Sequence, residues 1–198
     1  LQQENIVGLV LGTRPDCLPK KILPLLRQTH EQNYLMVELG LQSFFDHQLE
    51  FLQRGHNAST GFKAIEKLHS YTGEDIGIHL MFGLPDETDN EIIQTAKTIN
   101  DLPVSNLKLH NLHVLTNTPL ADYYQQGQFK PVELEAYAAK VMLFLRHLSP
   151  DIAVQRLAAV ASRWDELIAP ALTHEKLRPV QYIQDRMESL DTWQGDMF

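Results

Sequence analysis

The sequence predicts an α/β protein built on a parallel sheet, and two similar segments give the first indication. Val37–Ser43 (VELGLQS) and His79–Pro85 (HLMFGLP) each alternate apolar residues with polar or small ones and end in a glycine-containing turn before a helix. Strands and helices that alternate in this way form right-handed βαβ units, which build parallel sheets. Polar residues on such strands are typical of parallel barrels, whose strands reach an active site.

Four such units follow one another along the chain. The predicted strands are Ile6–Thr13, Tyr34–Ser43, Ile76–Phe82 and Leu107–Leu115, with Ile152–Leu157 as a candidate fifth. The predicted helices are Leu18–Gln32, a short one capped by Asp46, Ser59–His69, one capped by Asp89 and ending near Asp101, Val132–Leu148 and Glu175–Leu190. We therefore expect an open, parallel sheet of four or five strands with helices on its convex side.

Composition narrows the function only loosely. The chain has 198 residues and a formal net charge of −8, so it lacks the basic character that accompanies most nucleic-acid binding. No segment approaches membrane-spanning length, and the beginning does not resemble a signal peptide. The single cysteine, Cys17, excludes an internal disulfide and indicates a reducing compartment, which predicts a cytoplasmic location. Because residue 1 is leucine, we expect an upstream segment.

Alternation along the strands assigns their side chains to two faces. One face is bulky and apolar and suits the helix layer. The opposite face contains six polar side chains, namely Arg14, Glu38, Gln42, His79, Lys108 and His110. A buried polar group without a partner costs on the order of a few kcal/mol, so packing alone does not explain six of them. Because ligands bind at the carboxyl ends of parallel strands, we predict that these side chains converge on one concave site.

Each of these residues also has an ordinary structural explanation. Glu38 and Lys108 can simply pair across the barrel. His79 and His110 can be hydrogen-bonded core histidines, and Arg14 can be a solvated loop residue. The functional interpretation therefore depends on four strands that show the same division.

Several motifs together resemble the later strands of radical S-adenosylmethionine (radical SAM) proteins. They are Gly12–Asp16 (GTRPD), Glu38–Ser43 (ELGLQS), Arg54–His56 (RGH), His79–Thr88 (HLMFGLPDET), Lys108–Leu115 (KLHNLHVL) and Thr118–Leu120 (TPL). The resemblance covers roughly residues 6–156 and is to the YhcC/YtqA-like family of predicted iron–sulfur oxidoreductases.

This resemblance implies a partial, TIM-like (β/α) barrel over residues 1–157, which contains strands three to six of the radical SAM core. A C-terminal helical extension, residues 158–198, is expected to pack on it. In the superfamily, a Cys-x₃-Cys-x₂-Cys loop holds a [4Fe–4S] cluster, and a glycine-rich motif grips the methionyl amine of S-adenosylmethionine (SAM). The sequence has neither motif, and Cys17 has no partner cysteines, so we predict no metal ligands in this chain. The cluster ligands are expected upstream of residue 1, and the fragment alone is expected to be inactive.

The resemblance also implies cofactor-binding residues. Gln42 resembles the position that bonds the ribose of SAM, and Arg54 the position that pairs with the methionyl carboxylate, a bidentate task that suits a guanidinium. Alternatively, Arg54 simply stabilises a helix end. His79 occupies a ribose-contact position that is frequently acidic in relatives, so histidine is a departure. Met81 and Gly83 belong to a turn that resembles the apolar support for adenine.

The implied activity is that of a radical SAM oxidoreductase, in which the reduced cluster cleaves SAM to a 5′-deoxyadenosyl radical that abstracts hydrogen from a substrate. Glu38, Lys108 and His110, with His113, are the candidates for substrate contact or proton handling. No local motif specifies the substrate, the product or the oligomeric state. Family members have been linked to modification of the tRNA wobble uridine, although the acidic balance of this chain counts mildly against RNA.

Two other functions remain compatible with the sequence. A metal-dependent hydrolase could use His79, His110, His113 and Glu38, but His110 and His113 differ in strand parity and cannot face one metal from a regular strand. A non-catalytic binding domain could use the same barrel face. An upstream Cys-x₃-Cys-x₂-Cys motif would favour the radical enzyme over both.

Overall fold

A five-stranded parallel sheet organises the chain and confirms the predicted α/β class. The computed structural model describes residues 5–73, 75–161, 163–174 and 177–198. The sheet strands are β1 (Gly8–Thr13), β2 (Tyr34–Gln42), β3 (Ile76–Phe82), β4 (Asn106–Asn111) and β6 (Ala153–Arg156), in the spatial order β1-β2-β3-β4-β6. Two short strands, β5 (Val114–Leu115) and β7 (Leu167–Ala169), form a separate antiparallel pair.

Seven helices occur in the described part of the chain. They are α1 (Leu23–Gln32), α2 (Asp46–Phe51), α3 (Ala58–Thr72), α4 (Asp89–Asn100), α5 (Pro119–Gln125), α6 (Leu134–His147) and α7 (Arg178–Ser189). None of these described helices has the length and apolar character of a membrane span. The predicted beginning of the last helix at Glu175 lies outside the described residues.

The chain divides into two compact units. The first comprises the described residues up to 80 together with 101–108 and 151–153, and the second comprises 81–100, 109–150 and the described residues from 154 onward.

The core of the first unit is the apolar face of its strands. Val37 and Leu39 of β2 and Ile78 and Leu80 of β3 are each at most 1% exposed, as the alternation predicts. Burying an aliphatic side chain of this size contributes roughly 1.5–3 kcal/mol. Helices α1 and α3 contact each other and β2, so they cover this face. The opposite face of the same strands is therefore available for polar side chains.

The second unit has its own core around α6. Tyr137 and Phe144 are fully buried, and the Phe144 ring meets Phe82 edge-on at 5.1 Å between centroids. The Tyr137 hydroxyl donates a hydrogen bond to the Leu157 carbonyl at 2.7 Å. This bond ties α6 to the segment that follows β6.

Prolines account for two differences from the predicted helices. Helix α1 begins at Leu23 rather than Leu18, because Pro24 is tolerated only in the first turn of a helix. The sequence interpretation missed α5, in which Pro119 lies in the first turn and the Thr118 side chain accepts a hydrogen bond from the Ala121 N–H.

Two predicted caps were wrong. The Asp46 carboxylate accepts a hydrogen bond from the Ala58 N–H at 2.8 Å, so it stabilises the beginning of α3 instead of its own helix. Thr88, not Asp89, caps α4. Its hydroxyl accepts from the Glu91 N–H, and the Glu91 carboxylate accepts from the Thr88 N–H, which is a reciprocal capping box.

The strand predicted over Leu107–Leu115 is interrupted. Strand β4 ends at Asn111, and Val114 and Leu115 pair with β7 instead. The Asn111 side chain accepts a hydrogen bond from the Ala159 N–H at 3.0 Å, and the Thr116 N–H donates to the Glu166 carbonyl at 2.8 Å. These contacts link the end of β4 and the segment after it to Ala159 and Glu166.

The first strand is shorter than predicted. Strand β1 pairs with β2 from Gly8 opposite Tyr34 to Thr13 opposite Leu39. Ile6 and Val7 precede this pairing and are 45% and 86% exposed.

Candidate functional site

Three polar side chains from three neighbouring strands meet in the first unit. The Lys108 ammonium on β4 donates to Glu38 Oε1 on β2 at 2.5 Å. The His79 ring on β3 places Nε2 3.1 Å from Glu38 Oε2. The Glu38 side chain is only 8% exposed, whereas His79 and Lys108 are 22% and 25% exposed. We call this trio the Glu38 cluster.

The electrostatics of the Glu38 cluster keep its carboxylate charged. Burial raises the pKa of Glu38, but the hydrogen bonds and positive charges of Lys108 and His79 together outweigh burial and hold the pKa below its ordinary value. Because His79 faces a carboxylate through Nε2, the proton of a neutral ring lies on Nε2, and Nδ1 is then the acceptor. In the Glu38 cluster, the buried carboxylate of Glu38 thus holds the His79 imidazole and the Lys108 ammonium in place.

A second group of polar residues lies where β1 and β2 end. Gln42 ends β2 with a positive φ of 72°, and a β-bulge shifts the β2–β3 register between Leu39 and Gln42. A Cβ atom on Gly40 would lie 3.2 Å from Gln42 Nε2 and 3.4 Å from Arg54 Nη2. Glycine at position 40 therefore lets both side chains approach the β2 backbone.

The Arg54 guanidinium is hydrogen-bonded to the β2 backbone through one nitrogen and leaves another nitrogen available as a donor. Its Nη2 donates to the Gly40 carbonyl at 2.9 Å, while its Nε is buried and has no partner within the described part of the chain. An unsatisfied buried donor costs on the order of 1–3 kcal/mol, and a bound acceptor would remove that cost. This hydrogen bond to β2 differs from the helix-end contact that the sequence left open.

Arg14 does not join the Glu38 cluster. Its guanidinium forms two hydrogen bonds with Asp16, at 2.9 and 2.6 Å, and donates to the Arg54 carbonyl at 2.8 Å. Pro15 begins a short 3-10 turn directly after Arg14, which places Asp16 within reach. Arg14 therefore holds the loop that contains Arg54.

His110 has a partner that the sequence did not reveal. Arg156, near the end of β6, places Nη2 3.2 Å from His110 Nδ1 and in still closer contact with Nε2. A guanidinium only donates and a neutral imidazole has one unprotonated nitrogen, so Nε2, which is in the closer contact, accepts the hydrogen bond and carries no proton. Burial lowers the pKa of the neighbouring His113, and the charge of Arg156 acts in the same direction. Arg156 lies in the predicted fifth strand, Ile152–Leu157, but the division of side chains by face covers only the first four strands.

The turn after β3 contains Gly83 and is fixed by a buried ion pair. Gly83 has a positive φ of 83°, and Val132 occupies the space that a Cβ would need. The Gly83 N–H donates to Glu87 Oε2 at 2.9 Å, and Lys140 Nζ lies 3.1 Å from that oxygen. Burial raises the pKa of Glu87, against the opposing effects of the Gly83 N–H and Lys140. Met81, two residues earlier, is half-buried.

Comparisons with known proteins identify a matching family domain and several relatives. Residues 104–189 match the family described as the Radical_SAM C-terminal domain. The chain is 33% identical over 199 residues to an uncharacterized protein of Methanocaldococcus jannaschii, and 36% identical over 171 residues to protein YhcC of Escherichia coli. It is 30% identical over 198 residues to protein YtqA of Bacillus subtilis. Residues 104–189 are therefore a C-terminal domain of the radical SAM type, and the chain is a homologue of YhcC and YtqA.

The aligned residues make up 100%, 86% and 100% of this chain, in that order, but only 62%, 55% and 61% of those relatives. A tRNA uridine(34) acetyltransferase of Methanocaldococcus infernus is 31% identical over 150 residues, which are 71% of this chain and 27% of that protein. The archaeal Elp3 of the same organism, solved with an N-terminal deletion, has a TM-score of 0.75 at 22% identity, covering 95% of this chain and 43% of that one. The structural similarity supports the fold.

Radical SAM proteins bind two groups, SAM and an iron–sulfur cluster, and the residues of this chain fit the two unequally. Arg54, with its buried unpartnered donor beside Gly40, fits a carboxylate ligand such as the methionyl end of SAM. An iron–sulfur cluster does not fit, because cluster binding needs several thiolates and Cys17 is the single cysteine of this sequence. Among the described residues, no group of three or more His, Cys, Asp or Glu side chains is arranged to hold a metal ion.

Proposed function

We propose that this chain is the C-terminal part of a radical SAM enzyme, an oxidoreductase that takes hydrogen from its substrate. When SAM is bound beside a reduced [4Fe–4S] cluster, it supplies a 5′-deoxyadenosyl radical for that abstraction. The cysteines that hold the cluster must come from outside these 198 residues, so we propose that this chain alone does not cleave SAM.

The observation that supports SAM binding most directly is the environment of Arg54. Its Nη2 is held by the Gly40 carbonyl, and its buried Nε has no partner among the described residues. This arrangement orients a guanidinium while leaving a donor for a carboxylate. We propose that Arg54 pairs with the methionyl carboxylate. We also propose that Gln42, whose side-chain amide lies beside the same glycine, forms a hydrogen bond with the ribose.

The turn after β3 complements this assignment. We propose that Met81 and Gly83 support the adenine ring. The hydrogen bond from the Gly83 N–H to Glu87, itself paired with Lys140, keeps the turn in one conformation. A preorganised turn of this kind reduces the ordering cost of binding a flat apolar ring.

The Glu38 cluster has the composition of a substrate-binding or proton-handling group. Lys108 keeps donors that Glu38 does not use, and His79 is oriented through Nε2. We propose that Glu38 is the anchor, that Lys108 contacts an oxygen of the substrate, and that His79 contacts the cofactor ribose or moves a proton. His110, oriented by Arg156, is proposed as a further substrate contact.

The wider assignments are also proposals. The similarity to a tRNA uridine(34) acetyltransferase supports tRNA as the substrate class. With a net charge of −8, contact with RNA would require positive charge from another part of the protein or from a partner. We further propose a cytoplasmic location, and a division into the partial barrel (residues 1–157) and its helical extension (residues 158–198).

Equilibrium binding of radiolabelled SAM tests the cofactor assignment. In an anaerobically reconstituted longer protein that contains this chain and the cluster-binding cysteines, Arg54→Ala and Gln42→Ala should each weaken SAM binding about ten- to a hundred-fold. Their iron content should remain that of the parent protein, and Lys97→Met, which alters an exposed residue of α4, serves as the control. Unchanged SAM affinity in Arg54→Ala would restrict Arg54 to holding the β2 backbone.

A further inference from the structure

The Glu38 cluster spans three strands, which raises a steric problem. Neighbouring strands lie about 4.8 Å apart, so the backbones of β2 and β4 are separated by roughly 10 Å. Glu38 and Lys108 therefore meet only if their side chains extend over β3, which lies between them. The residue of β3 that is paired directly with Glu38 is Gly77.

Glycine at position 77 provides the necessary space. A Cβ atom there would lie 3.0 Å from Glu38 Cγ and 2.7 Å from Asn106 Oδ1. Neither neighbour can yield freely. Glu38 is held by Lys108 and His79, and Asn106 is 3% exposed, with its Nδ2 3.1 Å from Ser105 Oγ.

We propose that Gly77 is a positioning residue that lets the Glu38 side chain pass over β3 and reach Lys108, an inference that rests on the proposed role of the Glu38 cluster. Gly77 itself touches no reacting group. It acts through Glu38, whose carboxylate in turn orients His79 and Lys108. Any side chain at position 77 should therefore separate Glu38 from Lys108 before it disturbs the helix layer on the other face of the sheet.

The test is a titration of the Glu38 carboxyl carbon by ¹³C NMR in the cofactor-free chain, comparing the parent, Gly77→Ala and Gly12→Ala. Gly12 is the matched control, because it lies on β1 and a Cβ there would meet no atom within 4 Å. The proposal predicts that the pKa of Glu38, read from its titration midpoint, is higher in Gly77→Ala than in the parent. Burial raises this pKa, and Lys108 and His79 would then lower it less. The midpoint in Gly12→Ala should equal that of the parent.

A second variant covers the case in which Gly77→Ala does not fold. Gly77→Ala/Asn106→Ala removes the nearer obstacle and leaves the contact with Glu38 Cγ, so the midpoint should still shift upward relative to Asn106→Ala alone. A folded variant in either background with an unshifted Glu38 midpoint overturns the proposal. Because the titration needs neither SAM nor an iron–sulfur cluster, this outcome is independent of whether the longer protein cleaves SAM.

Discussion

Lys108→Met tests the electrostatics of the Glu38 cluster, because it removes the ammonium and keeps most of the apolar stem. Breaking a fully buried ion pair costs about 3–5 kcal/mol. Here Lys108 is 25% exposed and His79 remains as a second partner, so water and the imidazole offset part of the loss. We therefore expect the free energy of unfolding at neutral pH to fall by about 2 kcal/mol.

The pH dependence of that loss distinguishes charge from packing. The pKa of Glu38 is lowered in the folded chain, so its ion pair contributes stability above the ordinary glutamate pKa, about 4.3, and the contribution disappears as pH falls through the folded pKa. The difference in free energy of unfolding between the parent and Lys108→Met should accordingly become smaller as the pH is lowered.

Urea denaturation at a series of pH values measures this difference. Lys97→Met, on the exposed face of α4, is the control and should change stability by less than about 0.5 kcal/mol throughout. A Lys108→Met penalty that is equal at neutral and acid pH, or no larger than that of Lys97→Met, would refute the electrostatic account.

Three further predictions concern the second unit and the Arg54 loop. Tyr137→Phe should lower the free energy of unfolding by about 1 kcal/mol, through loss of the hydrogen bond to the Leu157 carbonyl, and chemical denaturation measures it. Because burial raises the pKa of Glu87, removing only Lys140 should destabilise the chain more at neutral than at acid pH. In a double-mutant cycle, Glu87→Gln/Lys140→Met should cost less than the sum of the single changes; strict additivity would argue against the pair. Arg14→Ala should speed amide hydrogen exchange in the loop after α2, since the Arg54 carbonyl loses its donor, and exchange at the parent rate would contradict this role.

The faces of the central strands could be predicted because strand periodicity is a local property. Val37 and Leu39 are buried under the helices, and Glu38 between them points to the opposite face with His79 and Lys108. The pairing of Glu38 with Lys108, which the sequence left open as a purely structural alternative, is present. Whether the cluster also acts on a substrate stays a prediction.

Contacts between distant segments were beyond the sequence pattern. Arg156 and His110 are 46 residues apart, and nothing local in either strand indicates that they meet. Asp16 accepts hydrogen bonds from Arg14 because the turn that begins at Pro15 brings the two side chains together. The alternation of side chains along a strand does not predict such a turn. The space over Gly77 depends on three strands at once. Side-chain partners set by tertiary packing therefore needed the structure.

The central claim is that this chain forms part of a SAM-cleaving site whose cluster ligands lie elsewhere. The most direct measurement is production of 5′-deoxyadenosine under anaerobic, reducing conditions, with iron counted in the same samples. It compares these 198 residues alone with a longer protein that also contains a Cys-x₃-Cys-x₂-Cys loop. The account predicts about four irons and 5′-deoxyadenosine from the longer protein, and neither from the 198 residues. A reconstituted longer protein that holds no cluster, or that holds one and leaves SAM intact, would contradict it.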